Sequence, residues 1–222
     1  MITSSYNDWQ SDKYTTYSIS GNRGKDANYQ GKCYPELAPK LSFWKIWHNN
    51  IGKVSEEENN KYYIQEYWKQ VLSKLDPETV YRKFDNSVLL CYEPNTEFCH
   101  RHIVAAWFEI LLGVKVPEGK AKGYKIEVTD RPEYIKQYLE DIMKLNIDMK
   151  GFKSLRAVYL FEKAEKLDAI ADKLEKLKYD CYYFYRQAAC YFRSAAYRVE
   201  NQYTELQGQK QLLKSQKKSE DL

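Results

Sequence analysis

Between Phe152 and Gln207 the chain contains neither glycine nor proline. Nothing in that stretch removes a helical hydrogen bond or loosens the backbone from within, so long helix is the state it favours. Inside it Leu167, Ile170, Leu174, Leu177, Cys181, Phe184, Ala188, Tyr191 and Ala195 follow one another in alternating steps of three and four. That spacing is a heptad seam and predicts a coiled coil or a long helical hairpin. One continuous helix and two antiparallel helices broken near Lys178-Tyr179-Asp180 satisfy the pattern equally. Arg198 and Gln202 end the apolar register, and the tail from Lys214 to Leu222 is expected to fray. A homodimer formed through these helices is the simplest partner for such a seam.

The rest of the chain reads differently. Lys13 to Ile19 has the β-branched and aromatic content of a strand and runs into the glycine loop Ser20-Gly21-Asn22-Arg23-Gly24. An ordered, aromatic-rich loop with a short helix near Leu41 to Trp47 comes next. Ser55 and Glu58 make a capping-box pattern, and Ile64, Tyr67, Trp68, Val71, Leu72 and Leu75 then recur at helical spacing. Asp76-Pro77 stops that helix and starts a short one. After a turn at Asp85-Asn86, the unbroken apolar run Ser87 to Tyr92 predicts a central strand covered on both faces. A helix from about Glu97 to Leu112, closed by Gly113, follows. Tyr124 to Val128 reads as an edge strand and Pro132 to about Leu145 as a helix. The expected fold class is α/β: a small sheet flanked by helices over residues 13–130, then a helical extension over residues 131–213.

Bulk properties exclude several classes. With 35 basic and 31 acidic residues the net charge of +4 does not demand a nucleic-acid or membrane partner. The N-terminus is polar and lacks the apolar run of a signal peptide, and no stretch approaches the roughly 20 apolar residues of a membrane span. Five cysteines, odd in number and without a C-x-x-C pair, argue against a disulfide framework and for reduced thiols in the cytoplasm. The 21 tyrosines suit wet interfaces and polar-ligand pockets, although packing accounts for most of them. P-loop, G-x-S-x-G and H-E-x-x-H patterns are absent, and no cofactor is expected.

Chemistry concentrates between Cys91 and Arg101. A strand-loop-helix unit places its loop at the carboxyl edge of the sheet, where α/β proteins hold ligands. Cys99, His100 and Arg101 fall in the expected first helical turn, where free N–H groups and the positive end of the macrodipole favour a thiolate or a bound anion. Glu93 is placed to act as acid, base or anchor for Arg101, and Arg23 to reach the same edge. Plainer readings stand beside these: Cys99 as a buried small residue, Arg101 and Glu93 as a structural ion pair, and Cys91 as packing. Cys91, Cys99, His100 and His102 are close in sequence. Adjacent ligands on a helix nevertheless point about 100° apart, and no second standard pair exists, so no metal site is expected.

Leu89-Leu90-Cys91-Tyr92-Glu93, followed after a short loop by Cys99-His100-Arg101, resembles the paired signature of the DUF488 family, a strand ending Leu-Leu-Cys-x-Glu and a helix opening Cys-His-Arg. The Leu37-Ala38-Pro39 and Phe43-Trp44 region is similar to an aromatic-rich segment of that family. The resemblance implies an α/β fold. It marks Glu93, Cys99 and His100 as catalytic candidates and Arg101, with Arg23, as substrate-binding candidates. The family's activity is largely undefined, and its label of a link to DNA repair is an association without a mechanism. The resulting expectation is an enzyme acting on a nucleotide, a nucleic-acid base or another anionic substrate. The alternatives are a non-catalytic nucleic-acid-binding or regulatory protein, or a scaffold that recruits a partner through its helices. Aromatic and basic side chains interleaved from Tyr179 to Arg198 belong to the second of these, with Arg186 and Arg193 on one face.

Overall fold

The structure, a computed structural model, describes residues 1–220, apart from the side chains at 214, 215 and 217–220. Where the tail was expected to fray, the backbone of residues 214–220 is helical, and residues 221–222 lie outside the described residues. The chain forms two compact units, Met1–Asn146 and Ile147–Leu222.

The first unit is α/β. Its strands are β1 (Ile2–Ser5), β2 (Trp9–Gln10), β3 (Thr15–Ser18), β4 (Lys32–Cys33), β5 (Ser87–Cys91), β6 (Glu118–Lys122) and β7 (Lys125–Thr129). They lie in the order β2-β6-β1-β5-β3-β4, and β7 pairs with β6. Every pairing is parallel except β6 with β7. The helices are α1 (Leu41–Asn50), α2 (Glu56–Gln70), α3 (Pro77–Lys83), α4 (His100–Leu112) and α5 (Tyr134–Asn146), the last packed on α2 and α4.

β5 is the central strand the apolar run predicted. It is hydrogen-bonded to β1 on one side and β3 on the other, and all five residues are buried. Val88 and Leu90 join Trp9 and Ala121 in one cluster, while the period-two alternation turns Leu89 to the other face. Burying each of these aliphatic side chains stabilises the sheet by about 2 kcal/mol. The local signals at α2 and α3 also hold. Ser55 Oγ accepts the Glu58 N–H, and Asp76 Oδ1 accepts the Thr79 N–H at 2.8 Å with Pro77 opening α3.

The polar N-terminus is not a loop but β1. Thr3, Ser4 and Ser5 are buried because each hydroxyl has an acceptor: Glu118 Oε2 at 2.5 Å, the Gly119 carbonyl at 2.6 Å and Asp8 Oδ2 at 2.9 Å. Hydroxyls satisfied in this way remove the penalty that would otherwise keep Thr-Ser-Ser out of a core.

The second unit is a hairpin of α6 (Leu155–Lys176) and α7 (Tyr182–Glu220). Between them the chain reverses through a Schellman motif. Lys178 takes φ 59°, its N–H bonds the Glu175 carbonyl at 2.9 Å, and the Tyr179 N–H bonds the Leu174 carbonyl at 2.9 Å. Ion pairs from Arg186 to Asp172 and from Arg193 to Asp168, with Glu200 accepting the N–H groups of Lys153 and Ser154, run the helices antiparallel. The expected seam does not form the hairpin's core. Ile170, Leu177, Phe184 and Tyr191 are 41%, 67%, 70% and 64% exposed, whereas Ala157, Ala164, Ala171, Ala189 and Ala196 are fully buried. These alanines recur every seven residues within each helix and bring the backbones close. A heptad seam holds only along an unbroken helix, and the reversal at Lys178 resets which face meets the partner helix.

Candidate functional site

The carboxyl ends of β3 and β5 face the same edge of the parallel sheet, and the candidate residues gather there. From β5 and its exit come Cys91, Tyr92 and Glu93, and from the β3 exit Ser20, Gly21, Asn22 and Asp26. Tyr92 Oη donates to Asn22 Oδ1 at 2.7 Å and accepts the Asp26 N–H at 3.1 Å, which pins the glycine loop to the strand end. Gly24 must be glycine in that loop. Its φ is 79°, and a Cβ there would stand 2.7 Å from Tyr29 Cβ.

The helix begins later than its sequence suggested. Residues 93–98 form a loop anchored by Asn95, whose Nδ2 donates to the Gly119 carbonyl at 3.1 Å and to Thr129 Oγ1 at 2.9 Å. α4 therefore opens at His100, with Cys99 as an extended N-cap (φ −150°, ψ 146°). Cys99 and His100 do not obey the 100° helical rule, because only one of them is in the helix. Their reactive atoms converge instead. Cys99 Sγ lies 2.8 Å from Glu93 Oε2, and His100 Nδ1 lies 3.9 Å from Cys99 Sγ and 3.6 Å from Cys91 Sγ. Cys91 Sγ is also 3.3 Å from Glu93 Oε2, so Cys91 belongs to this cluster and is not merely packing. His100 Nε2 donates to the Ile19 carbonyl at 2.9 Å, which fixes its tautomer, and Tyr67 packs edge-on against the ring.

Arg101 stands behind the cluster rather than in front of it. It is fully buried, with Nε donating to Glu118 Oε1 at 3.0 Å and Nη2 to Asn95 Oδ1 at 3.3 Å. Its carboxylate is Glu118, at the start of β6, and not Glu93. His102 Nε2 lies 3.4 Å from the other oxygen of Glu118. Arg101 does not line the cavity in front of Glu93, so its effect on a ligand there is electrostatic. Arg23 also fails to reach that cavity. It is exposed in a left-handed turn (φ 60°), and its neighbours Asn22 and Asp26 take the lining positions.

The environment pulls the titrating groups apart. Burial, and then the neighbouring Cys99, push the Glu93 carboxyl up to about 7. Burial raises the Cys99 thiol, but the hydrogen bond from Cys91 and the charges of Arg101 and His100 together outweigh it and hold Cys99 well below an ordinary cysteine. Burial and the adjacent Cys99 keep Cys91 a thiol. Burial lowers His100, yet Cys99, Glu93 and the Ile19 carbonyl together raise it. The arrangement sets a carboxyl raised by burial 2.8 Å from a thiol held low, beside an imidazole and above a buried guanidinium.

A cavity of about 530 Å³ opens onto this cluster. Its other walls are Pro39, Leu41, Trp44 and Trp47 from the approach to α1 and α1 itself, Tyr63 from α2, and Phe98. Trp47, Tyr63 and Phe98 brace one another, with ring centroids 5.3 Å apart for Trp47–Tyr63 and for Tyr63–Phe98. Trp47 Nε1 donates to Asn60 Oδ1 at 3.2 Å. No lysine or arginine is among the described lining residues. The sequence marked Pro39 and Trp44 through an aromatic-rich segment. It carried no signal for Tyr63 or Phe98, which enter from separate elements.

Comparison with curated proteins and with solved structures returned no match. Residues 12–110, from just before β3 into α4, match the family model described as the active DUF488-N3 subclade, and that span contains Arg23, Glu93, Cys99, His100 and Arg101. This α/β segment, residues 12–110, is what the chain shares with the DUF488 family.

Proposed function

We propose that the first unit is an enzyme acting on a nucleic-acid base, or a nucleoside carrying one, bound in the aromatic cavity with Glu93 as its acid–base group. The observation that carries this reading is the cavity itself. About 530 Å³ suits a ligand of that size, and Trp44, Trp47, Tyr63 and Phe98 offer faces and edges to a planar ring. The floor is reactive: Glu93, Cys99 and His100 sit in contact where the ring would end. Among the anionic substrates expected from sequence, a phosphate inside the cavity is disfavoured, because Asp26 and Glu93 line it and no lysine or arginine does. The subclade's description as active accords with a working site.

The rival nucleic-acid-binding reading of the hairpin loses two of the three arginines between Tyr179 and Arg198 to ion pairs. Arg186 is engaged by Asp168, Asp172 and Glu175, and Arg193 by Asp168, so these cations are already neutralised. The exposed row of Ile170, Leu177, Phe184 and Tyr191 is the surface through which the proposed homodimer would form. No described helix is long and apolar enough to cross a membrane. A reducing cytoplasm is the compartment in which Cys91 and Cys99 would persist as a thiol pair.

The test is a fluorescence titration with free bases, nucleosides and mononucleotides, exciting tryptophan. Bases and nucleosides are expected to quench saturably, mononucleotides more weakly, and Trp44→Ala to abolish the response. The absence of saturable quenching by any base or nucleoside would overturn the proposal.

A further inference from the structure

We propose that Cys91, Cys99 and His100 form a binding site for a zinc ion at the floor of the cavity, with Glu93 as the base beside the water that ion carries. The two Sγ atoms and His100 Nδ1 are buried and lie within 4.8 Å of one another, with Nδ1 at 3.6 and 3.9 Å from the sulfurs. A tetrahedral zinc with Zn–S of about 2.3 Å and Zn–N of about 2.0 Å separates its ligands by roughly 3.5 Å. The two observed nitrogen–sulfur distances are therefore close to what the ion requires.

Two further observations agree. The bond from His100 Nε2–H to the Ile19 carbonyl leaves the Nδ1 lone pair turned to the sulfurs, and metal-bound histidines commonly make such an outer bond. All three ligands also line the cavity, which gives the ion a way in and leaves a fourth position for water. Two thiolates balance the charge of a divalent cation, and soft sulfur ligands select zinc over magnesium or calcium. Glu93 Oε2 touches both sulfurs, so its carboxylate lies next to that fourth position. There it takes one proton from the bound water, leaving a zinc-held hydroxide and a neutral carboxylic acid, with no change in oxidation state. The hydroxide forms a C–O bond to a ring carbon that bears an exocyclic amino group; the C–N bond then breaks, ammonia leaves with the proton held by Glu93, and the remaining hydroxyl proton moves to the ring nitrogen as the carbonyl forms. That last role rests on the nucleobase reading above, whereas the metal site rests on the ligand geometry.

Cobalt(II) added to the reduced, metal-depleted full-length protein reads the site directly. One equivalent is expected to give a thiolate-to-cobalt charge-transfer band and the visible bands of tetrahedral coordination, both erased by zinc. Cys99→Ser and His100→Asn should weaken binding at least ~10-fold, while the Cys181→Ser/Cys190→Ser pair, outside the site, should keep the spectrum. If a ligand variant fails to fold, zinc protection of Cys99 from iodoacetamide in the unaltered chain decides instead. A folded, reduced protein without a thiolate–cobalt band, or with a band indifferent to Cys99, overturns the metal site. A protein that binds zinc but no base or nucleoside keeps the metal site and overturns the hydrolytic role.

Discussion

Replacing Arg101 with methionine separates two consequences of one buried charge. The guanidinium and the Glu118 carboxylate are both fully buried and joined at 3.0 Å. In Arg101→Met, Glu118 keeps Thr3 Oγ1 at 2.5 Å and His102 at 3.4 Å but loses its compensating cation. Removing one partner of a buried pair costs about 3–5 kcal/mol, because a charge is left in a low-dielectric interior. Removing both charges is close to neutral, so Arg101→Met/Glu118→Gln should recover most of that loss. All five tryptophans fall within the first unit (Trp9, Trp44, Trp47, Trp68 and Trp107), so urea unfolding followed by tryptophan emission reports that unit alone. Arg101 is also one of the charges that hold Cys99 low. The double variant, though refolded, should therefore show a Cys99 thiol titrating higher than in the parent. A loss below about 1 kcal/mol in the single variant, or no recovery in the double, would refute the buried-pair reasoning.

Other outcomes follow from the same geometry. Glu93 is raised from 4.5 to about 7, so its contribution to stability is present in full below about pH 4.5 and lost as pH rises through 7. With chelator present, Glu93→Gln should remove that fall and gain about 3 kcal/mol on the parent between pH 5 and pH 8; urea midpoints that keep the same difference at both pH values would contradict it. In metal-free protein, iodoacetamide is expected to label Cys99 faster than Cys91 near neutral pH, by peptide mass mapping, because only Cys99 is held low. Equal rates at the two would argue against an activated thiol. Lys178 sits at φ 59° in the hairpin reversal, and Lys178→Gly should stabilise the second unit by about 1 kcal/mol in thermal melts followed by helical circular dichroism. A lower melting temperature would refute the strain.

Where local chemistry decided the structure, the sequence was readable. Ser55 and Asp76 cap helices through their side chains, Gly113 through the left-handed backbone that glycine permits, and the apolar run Ser87 to Cys91 specifies a central strand. Legibility failed where a distant partner changed a residue's cost. Thr3-Ser4-Ser5 became a core strand only because Glu118, Gly119 and Asp8 accept their hydroxyls, and two of those partners are more than a hundred residues away. The same Glu118 took Arg101 away from the ligand side. Cys91 and Cys99 were separable on paper, as strand packing and helix turn. The loop held by Asn95 then delayed α4 and let Cys99 fold back to the strand end. In the hairpin the seven-residue period was real, but alanines carried it, and a hydrophobic count favours leucine over alanine.

The central claim is that a planar base occupies the cavity over Glu93, Cys99 and His100. NMR of the tryptophan indole N–H signals tests it most directly. Adding a free base or nucleoside should move the Trp44 and Trp47 signals saturably while the buried Trp107 signal, outside the cavity, stays in place. Unmoved Trp44 and Trp47 signals at saturating ligand, or shifts confined to other tryptophans, would contradict the account.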